Sequence, residues 1–154
     1  MTATIHLWPE APREHDGLIR ASARLELGSG GEELLWYDYP AEHRESLTDD
    51  ADPYVVALAL RMAQESRPVR VHGRVSPSLL RNLEQYVAAW AAWRPDRYAP
   101  IEIAADDETE REPPAGPPQA VCGFSGGIDS SFTAYRHAKG FTTRFPEPLI
   151  AGVM

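Results

Sequence analysis

The sequence has very little cysteine, since Cys122 is its one thiol. A single cysteine cannot form a disulfide within the chain, which argues against the class of small secreted domains held together by disulfides. This usage is typical of a reducing compartment. We therefore predict a cytoplasmic protein.

Long apolar runs are also missing. No window approaches about 18 uninterrupted apolar residues, so the sequence predicts no transmembrane helix. The first residues lack a basic start followed by an apolar stretch, so no secretory signal is predicted. We expect no membrane among the partners of this protein.

Positive charge is scarce and scattered. The chain has 15 lysines and arginines against 23 acidic residues, a formal net charge of −8. A protein that follows nucleic-acid phosphates usually carries a basic patch or stripe, and a net negative field repels a polyanion. A nucleic-acid partner is therefore not expected, although charge alone leaves tRNA open.

An acidic, proline-rich segment divides the sequence. Residues 105–119 contain four prolines and one glycine, and residues 106–112 alone hold half of the net charge. Such a composition has few apolar side chains to bury and disfavours helices and strands. We interpret residues 105–119 as a solvated linker between an accessory domain over residues 1–104 and a second domain over residues 120–154.

Residues 1–104 alternate between strand-like and helix-like patterns. These patterns predict strands over residues 3–8, 18–27, 33–39, 69–75 and 101–104, with a glycine turn over residues 28–31. They predict helices over residues 53–66 and 77–93, each opened by proline, with Asp52 and Ser76 as N-caps. The first part is thus expected to be an α+β module of order βββαβαβ.

Two features of this first part have both a plain and a functional interpretation. His72 precedes a glycine at a strand end, but no second ligand lies at metal spacing, so a solvated or hydrogen-bonded histidine is favoured. Tyr86, Trp90 and Trp93 would suit base stacking. At helical spacing, however, such residues more often belong to a core or a domain interface.

The second part follows a different pattern. Residues 120–124 form a short apolar run typical of a buried parallel strand, in which we expect Cys122 to be a buried structural thiol. A glycine-rich turn, a helix from Asp129 to about Lys139 and another apolar run over residues 149–154 follow. This order predicts the β-α-β start of a doubly wound α/β domain.

The turn over residues 125–130 reads SGGIDS and has the composition of a phosphate site. It lies at a helix N-terminus, where free N–H groups and the helix dipole favour an anion. Its glycines permit close approach and positive φ, and its serines add hydroxyl donors. The carboxylate of Asp129 suits this turn if a divalent metal joins it to phosphate, or if it caps the helix.

All six turn positions match the SGGxDS loop of the N-type ATP pyrophosphatases, or PP-loop enzymes, which this segment resembles. That superfamily includes asparagine synthetase, GMP synthetase and 7-cyano-7-deazaguanine synthase. The resemblance implies that ATP and Mg²⁺ are the cofactors, and that Asp129 is both a catalytic residue and a metal ligand. It implies that the pyrophosphate half of ATP is held by Ser125, Gly126, Gly127, Asp129 and Ser130. Residues 151–153 would lie near adenine.

The reaction implied by the resemblance is adenylation. ATP is split into AMP and pyrophosphate, and the activated carbonyl or carboxyl oxygen is then displaced by a nitrogen or sulfur nucleophile. The resemblance covers residues 120–154 only, whereas a complete domain of this kind needs about five strands and ~150 residues. We therefore expect the N-terminal part of an ATP-dependent ligase, inactive by itself, with a small-molecule acceptor.

Two alternatives stay open. The chain would be a non-catalytic module that binds a partner if the nucleotide loop is vestigial. It would be one half of a split enzyme if a complementing polypeptide supplies the rest of the domain.

Overall fold

The computed structural model describes residues 3–112, 116, 119–141 and 148–153. The chain divides into two compact units, with the boundary between Arg111 and Glu112. The architecture is a mixed α/β fold whose larger sheet contains both parallel and antiparallel strands. Within the described ranges, no helix is long and apolar enough to cross a membrane.

The first unit combines a mixed sheet with two α-helices. The strands are β1 (Ile5–Pro9), β2 (Arg13–His15), β3 (Leu18–Glu26), β4 (Glu32–Pro40), β5 (Val69–Arg74) and β6 (Ile103–Asp107). The helices are α1 (Asp52–Ala63) and α2 (Pro77–Trp93), and a 3-10 helix spans Ala41–Ser46. The sheet order is β4-β3-β1-β5-β6, in which β1, β5 and β6 run parallel and β3 is antiparallel to both of its neighbours, β1 and β4.

The short strand β2 is an addition to the predicted order. It pairs with the half of β3 that β1 leaves free, so β1 and β2 lie on the same side of β3. Asp16 and Gly17 join β2 to β3, and both have positive φ, 47° and 76°. An Asp-Gly pair with positive φ at both positions is a favoured two-residue hairpin turn. This dipeptide was the signal in the sequence for the missed strand.

The core lies on one face of the sheet. As the period of two predicted, Ile19, Ala21, Ala23 and Leu25 of β3 are buried. Ala21, Ala23 and Leu25 belong with residues of α1 and α2 to one core cluster, in which Met62 and Val55 are fully buried. Alternate strand residues point to opposite faces, so burying this face leaves the other to polar and aromatic side chains.

The second face of the sheet holds a hydrogen-bonded histidine pair. The Nε2 atom of His72 lies 2.9 Å from Nδ1 of His6, and its Nδ1 atom lies 3.2 Å from a carboxylate oxygen of Asp106. The His72 ring also stacks on Trp8 with centroids 3.5 Å apart. The plain interpretation of His72 as a hydrogen-bonded histidine is therefore confirmed.

Helix α2 begins at the predicted Pro77, and α1 begins one residue before the predicted Pro53. Ser76 is the N-cap of α2 as predicted, but its side chain makes no capping hydrogen bond. Asp52 is the first residue of α1 rather than its N-cap, and its carboxylate accepts hydrogen bonds from the N–H (2.9 Å) and the hydroxyl of Ser76. The N–H of Ser78, in the first turn of α2, donates to the carboxylate of Glu110 at 2.8 Å. Residues distant in sequence thus satisfy N–H groups that a local cap would otherwise take.

The predicted linker begins too early. Strand β6 continues through Asp107, Ala105 is only 7% exposed, and Asp106 accepts a hydrogen bond from Arg70 at 2.7 Å. The interpretation as a solvated linker is therefore wrong for residues 105–107, which belong to the sheet, where Arg70 compensates the charge of Asp106. Of the remaining segment, residues 113–115, 117 and 118 lie outside the described residues.

The aromatic side chains of α2 are not core residues. Tyr86 is 46% exposed and Trp93 is 71% exposed. Trp90 meets both rings edge to face, with centroid distances of 6.4 Å and 5.6 Å. The core interpretation is wrong for Tyr86 and Trp93, whereas a role at a domain interface stays a prediction.

A buried carboxylate, Asp50, fastens the segment before α1 to β5. Its side chain is 5% exposed and accepts hydrogen bonds from Arg74 and from the hydroxyl of Thr48, the latter at 2.8 Å. Burial by itself would raise the pKa of Asp50. The hydrogen bonds from Thr48 and Arg74 outweigh that effect and hold the pKa below its ordinary value of 3.8.

Replacing this carboxylate should lower stability in a pH-dependent way. We expect Asp50→Asn to lower the free energy of unfolding by about 1–3 kcal/mol at pH 7, because a buried partner is lost. The native carboxylate has a lowered pKa, so its contribution is complete above the unfolded pKa and is lost as pH falls below about 4. Urea unfolding should therefore show that the difference in free energy of unfolding between the two proteins shrinks from pH 7 to pH 3.

The control for this measurement is Asp16→Asn, whose side chain is 99% exposed in the native protein. It should unfold like the native chain across the range. A difference between native protein and Asp50→Asn that stays constant down to pH 3 would contradict the role given to the charge of Asp50.

The first unit should fold by itself. Residues 1–111 contain its whole sheet and both helices, so we expect one cooperative thermal transition. A chain of residues 1–104 lacks Ala105 and the Glu110 cap, and we expect its Tm to be lower by at least about 5 °C. A chain of residues 1–119 should match 1–111. Equal Tm values for 1–104 and 1–111 would contradict the boundary at Arg111.

Candidate phosphate-binding loop

The second unit has the predicted order of strand, turn, helix and strand. It contains β7 (Ala120–Gly123), α3 (Ile128–Ala138) and β8 (Leu149–Val153). The two strands are parallel. The turn therefore lies at the carboxyl end of β7 and at the N-terminus of α3. Of the residues between α3 and β8, 142–147 lie outside the described part, as does Met154.

The backbone of the turn depends on its first glycine. Gly126 has φ +75°, a conformation that L side chains rarely adopt. Gly127 is extended, with φ −75° and ψ 174°, and is the N-cap of α3 without a side-chain cap bond. The first intrahelical bond runs from Ser131 N–H to Gly127 C=O at 3.0 Å. The N–H groups of the first turn of α3 therefore point out of the helix end without a capping side chain.

The two serines of the turn lie together. The hydroxyl oxygens of Ser125 and Ser130 are 3.3 Å apart. Ser130 donates to the carbonyl of Gly127 at 3.1 Å, and the N–H of Gly127 points at the Ser125 hydroxyl at 3.5 Å. Ser125 is exposed and Ser130 is half-buried, so both hydroxyls can reach a ligand placed over the helix end.

Asp129 lies in the first turn of α3 and is exposed. The N-cap position belongs to Gly127, so Asp129 does not cap the helix, and the capping interpretation is wrong. Within the described residues, no group of three or more His, Cys, Asp or Glu side chains could hold a metal. A Mg²⁺ ion commonly takes one or two carboxylates and completes its shell with phosphate oxygens and water. A single carboxylate beside a phosphate loop fits that donor set.

Strand β7 is not buried as the sequence pattern predicted. Val121 is 58% exposed, and Cys122 is only half-buried rather than a buried core thiol. The apolar residues Phe132 and Tyr135 of α3 are 58% and 52% exposed. The physical reason is that two strands and one helix have too little surface to cover both faces of a parallel pair.

The parallel pair extends one residue beyond β7, which the sequence did not reveal. The N–H of Phe124 donates to the carbonyl of Val153 at 2.8 Å. A Cβ added at Gly152 would meet the Cβ of Phe124 at 3.0 Å, so a glycine fits beside this side chain. This hydrogen bond brings residues 151–153 next to the start of the loop.

No protein-family model, curated protein or solved structure matches this chain. The resemblance to ATP pyrophosphatases therefore depends on the six turn residues and on the order of the elements around them.

The two glycines should respond differently to a methyl group. Gly126→Ala should strain the turn by about 1 kcal/mol or more, because its φ is positive. At Gly127 an added Cβ meets the Ser125 hydroxyl at 3.5 Å, an ordinary contact, so Gly127→Ala is the matched control. In ¹⁵N NMR spectra, Gly126→Ala should move the amide signals of the whole turn. Equal perturbation by both variants would contradict the described loop.

Proposed function

We propose that the second unit binds ATP with Mg²⁺ through residues 125–130, as the phosphate-binding part of an ATP-dependent adenylating enzyme. The observation that best supports this proposal is the pair of serine hydroxyls, 3.3 Å apart, on a glycine turn at a helix end that has no side-chain cap. The turn follows the carboxyl end of a parallel strand, which is where nucleotides bind in α/β folds.

Phosphate recognition would come from three sources in this turn. The free N–H groups of α3 and the helix dipole attract an anion. The hydroxyl of Ser125 adds a donor, and the hydroxyl of Ser130 adds a second one when it turns from the carbonyl of Gly127 to the phosphate. The two glycines leave room for phosphate oxygens to approach the backbone. Hydrogen bonds to a charged group are worth about 1.5–3 kcal/mol each.

The role proposed for Asp129 is to hold Mg²⁺ against the phosphates. Without a cation, its carboxylate would repel the anion that the helix end attracts. The ion would supply charge neutralisation for the departing pyrophosphate. Asp129 lies one position before Ser130, so carboxylate and hydroxyl leave the same turn of α3.

The proposed reaction activates an oxygen for substitution. An acceptor carbonyl or carboxyl oxygen bonds to the α-phosphorus of ATP, and the bond to pyrophosphate breaks. A nitrogen or sulfur nucleophile then displaces AMP. A net charge of −8 favours a small-molecule acceptor over tRNA. The single cysteine is our reason for proposing a cytoplasmic location.

We further propose that this chain does not complete the reaction alone. Its second unit, as described, has two strands and one helix, and Val121, Phe132 and Tyr135 are each more than half exposed. Exposed apolar residues of this kind favour a covering partner, either further elements of the same domain or a complementing polypeptide. A partner-binding module with a vestigial loop is the competing function, and it predicts no ATP binding at all.

NMR titration of the 154-residue chain with ATP and Mg²⁺ tests the binding proposal. We expect millimolar-class affinity, about 4 kcal/mol, with shifts centred on residues 125–131. Ser130→Ala should weaken binding about tenfold, through the loss of one hydroxyl contact to a charged group. Ser131→Ala, one residue further along the helix, is the control and should bind like the native chain. Absence of any shift in the loop would favour the vestigial alternative.

A product assay separates the reaction classes. The chain alone should release no pyrophosphate, and when it is complemented, Asp129→Ala should abolish Mg²⁺-dependent release. Turnover by the chain alone would contradict the need for further elements. Release of ADP and phosphate in place of AMP and pyrophosphate would contradict the adenylation proposal.

A further inference from the structure

Helix α2 carries apolar side chains on two sides. The inner side contributes three aliphatic residues to the core, Leu80, Leu83 and Val87. On a second side, Leu79, Tyr86 and Trp93 recur every seven residues, which is close to two helical turns. Tyr86 is 46% exposed and Trp93 is 71% exposed, more than any other tryptophan of the chain. Exposed aromatic rings along one side of a helix indicate an interaction surface.

An apolar groove opens at the N-terminal half of this second side. Helices α1 and α2 form a cavity of about 490 Å³, lined by Val56, Leu79, Asn82, Leu83 and Tyr86. None of the lining residues is charged, and Val56 is 52% exposed, so an apolar surface faces solvent. Protein partners commonly anchor in such grooves through an aromatic side chain that fills them. The groove therefore suits an aromatic occupant.

The same chain carries such a side chain at the other end of α2. Trp93 meets Trp90 edge to face, with centroids 5.6 Å apart, and it does not line the groove of its own chain. A two-fold dimer places one patch against itself, so that residue i contacts j and j contacts i. Two α2 helices laid antiparallel about Tyr86 bring Trp93 of each copy opposite Leu79 of the other, because both lie seven residues from Tyr86. One side of the helix thus supplies both a groove and a ring.

The charges at the two ends of α2 are opposite in sign. At its start, the carboxylate of Glu110 accepts a hydrogen bond from the N–H of Ser78. At its end, Arg94 is paired with Asp96 at 2.9 Å, and Arg97 adds a further positive charge. An antiparallel pair places the Arg97 end of each copy beside the Glu110 end of the other, and it also opposes the two helix dipoles. A parallel pair would bring like charges together, so the charges favour the antiparallel arrangement.

The size of the patch predicts a weak dimer. A buried aromatic side chain contributes about 150–250 Å², and the second side of α2 offers two exposed ones per copy. Such an interface stays below about 1,200 Å², the lower end of stable protein–protein interfaces. We propose that this side of α2 is a homodimer interface, in which Trp93 of each copy fills the groove between α1 and α2 of a second copy.

Sedimentation velocity of the 154-residue chain over a range of concentrations tests this interface. We expect a reversible monomer–dimer equilibrium with a dissociation constant weaker than about 1 μM. Trp93→Ala removes both anchoring rings of the dimer and should weaken association at least about tenfold. Val56→Arg places a charge in both grooves and should weaken it to the same extent. Both positions are exposed, so the Tm of each variant should stay close to that of the native chain.

Mixing the two variants separates this contact from any other. Trp93→Ala keeps its groove and Val56→Arg keeps its ring, so a mixed dimer retains one intact contact that neither variant forms by itself. Unlabelled Val56→Arg should therefore shift the groove amides of ¹⁵N-labelled Trp93→Ala, at residues 79–86, at lower concentrations than unlabelled Trp93→Ala does.

The matched control is Trp36→Ala, because Trp36 is a second exposed tryptophan that lies on β4, outside the groove. It should associate like the native chain. A chain that stays monomeric at millimolar concentration would leave the groove to a different protein and would overturn the proposal. Association that Trp93→Ala leaves unchanged, equal weakening by Trp36→Ala, or no difference between the two titrations of labelled Trp93→Ala would also overturn it.

Discussion

Burial of one face of the mixed sheet is the constraint on which the first unit depends. Every second residue of β3 from Ala21 to Leu25 is buried with the apolar sides of α1 and α2. Fully burying a large aliphatic side chain contributes about 1.5–3 kcal/mol, so a shared core of this kind outweighs any single polar contact. Because both helices lie over this face, the opposite face is left to the His72 pair, to Trp8 and to ion pairs such as Arg20 with Asp38.

Acidic side chains around that core accept hydrogen bonds that link one element to another. Asp50 holds β5 to the segment before α1, Asp52 holds Ser76 at the start of α2, and Glu110 accepts from the N–H of Ser78. Each carboxylate satisfies a donor on an element that is distant in sequence, where a lost partner would cost about 1–3 kcal/mol.

The second unit depends on local geometry instead. Its loop needs one strand, one glycine with positive φ and one helix end, all of which lie within residues 120–138. A phosphate site of this type can therefore form while the apolar residues around it are still exposed. The contrast between a formed loop and an exposed Phe132 is the reason we propose binding by this chain and turnover only in a larger assembly.

Local pattern determined the periodic elements, the proline-opened helices and the SGGIDS turn, because these depend on neighbours within a few residues. Long-range pairing decided the rest. The acidic run became part of β6 and a helix cap because Arg70 and Ser78 lie beside it only in the folded chain. Cys122 was expected in a core but is only half-buried. Its burial depends on how many helices and strands pack over β7, which the composition of the strand does not reveal. The parallel pairing of β1 with β5 likewise exists only once strands more than 60 residues apart meet in register.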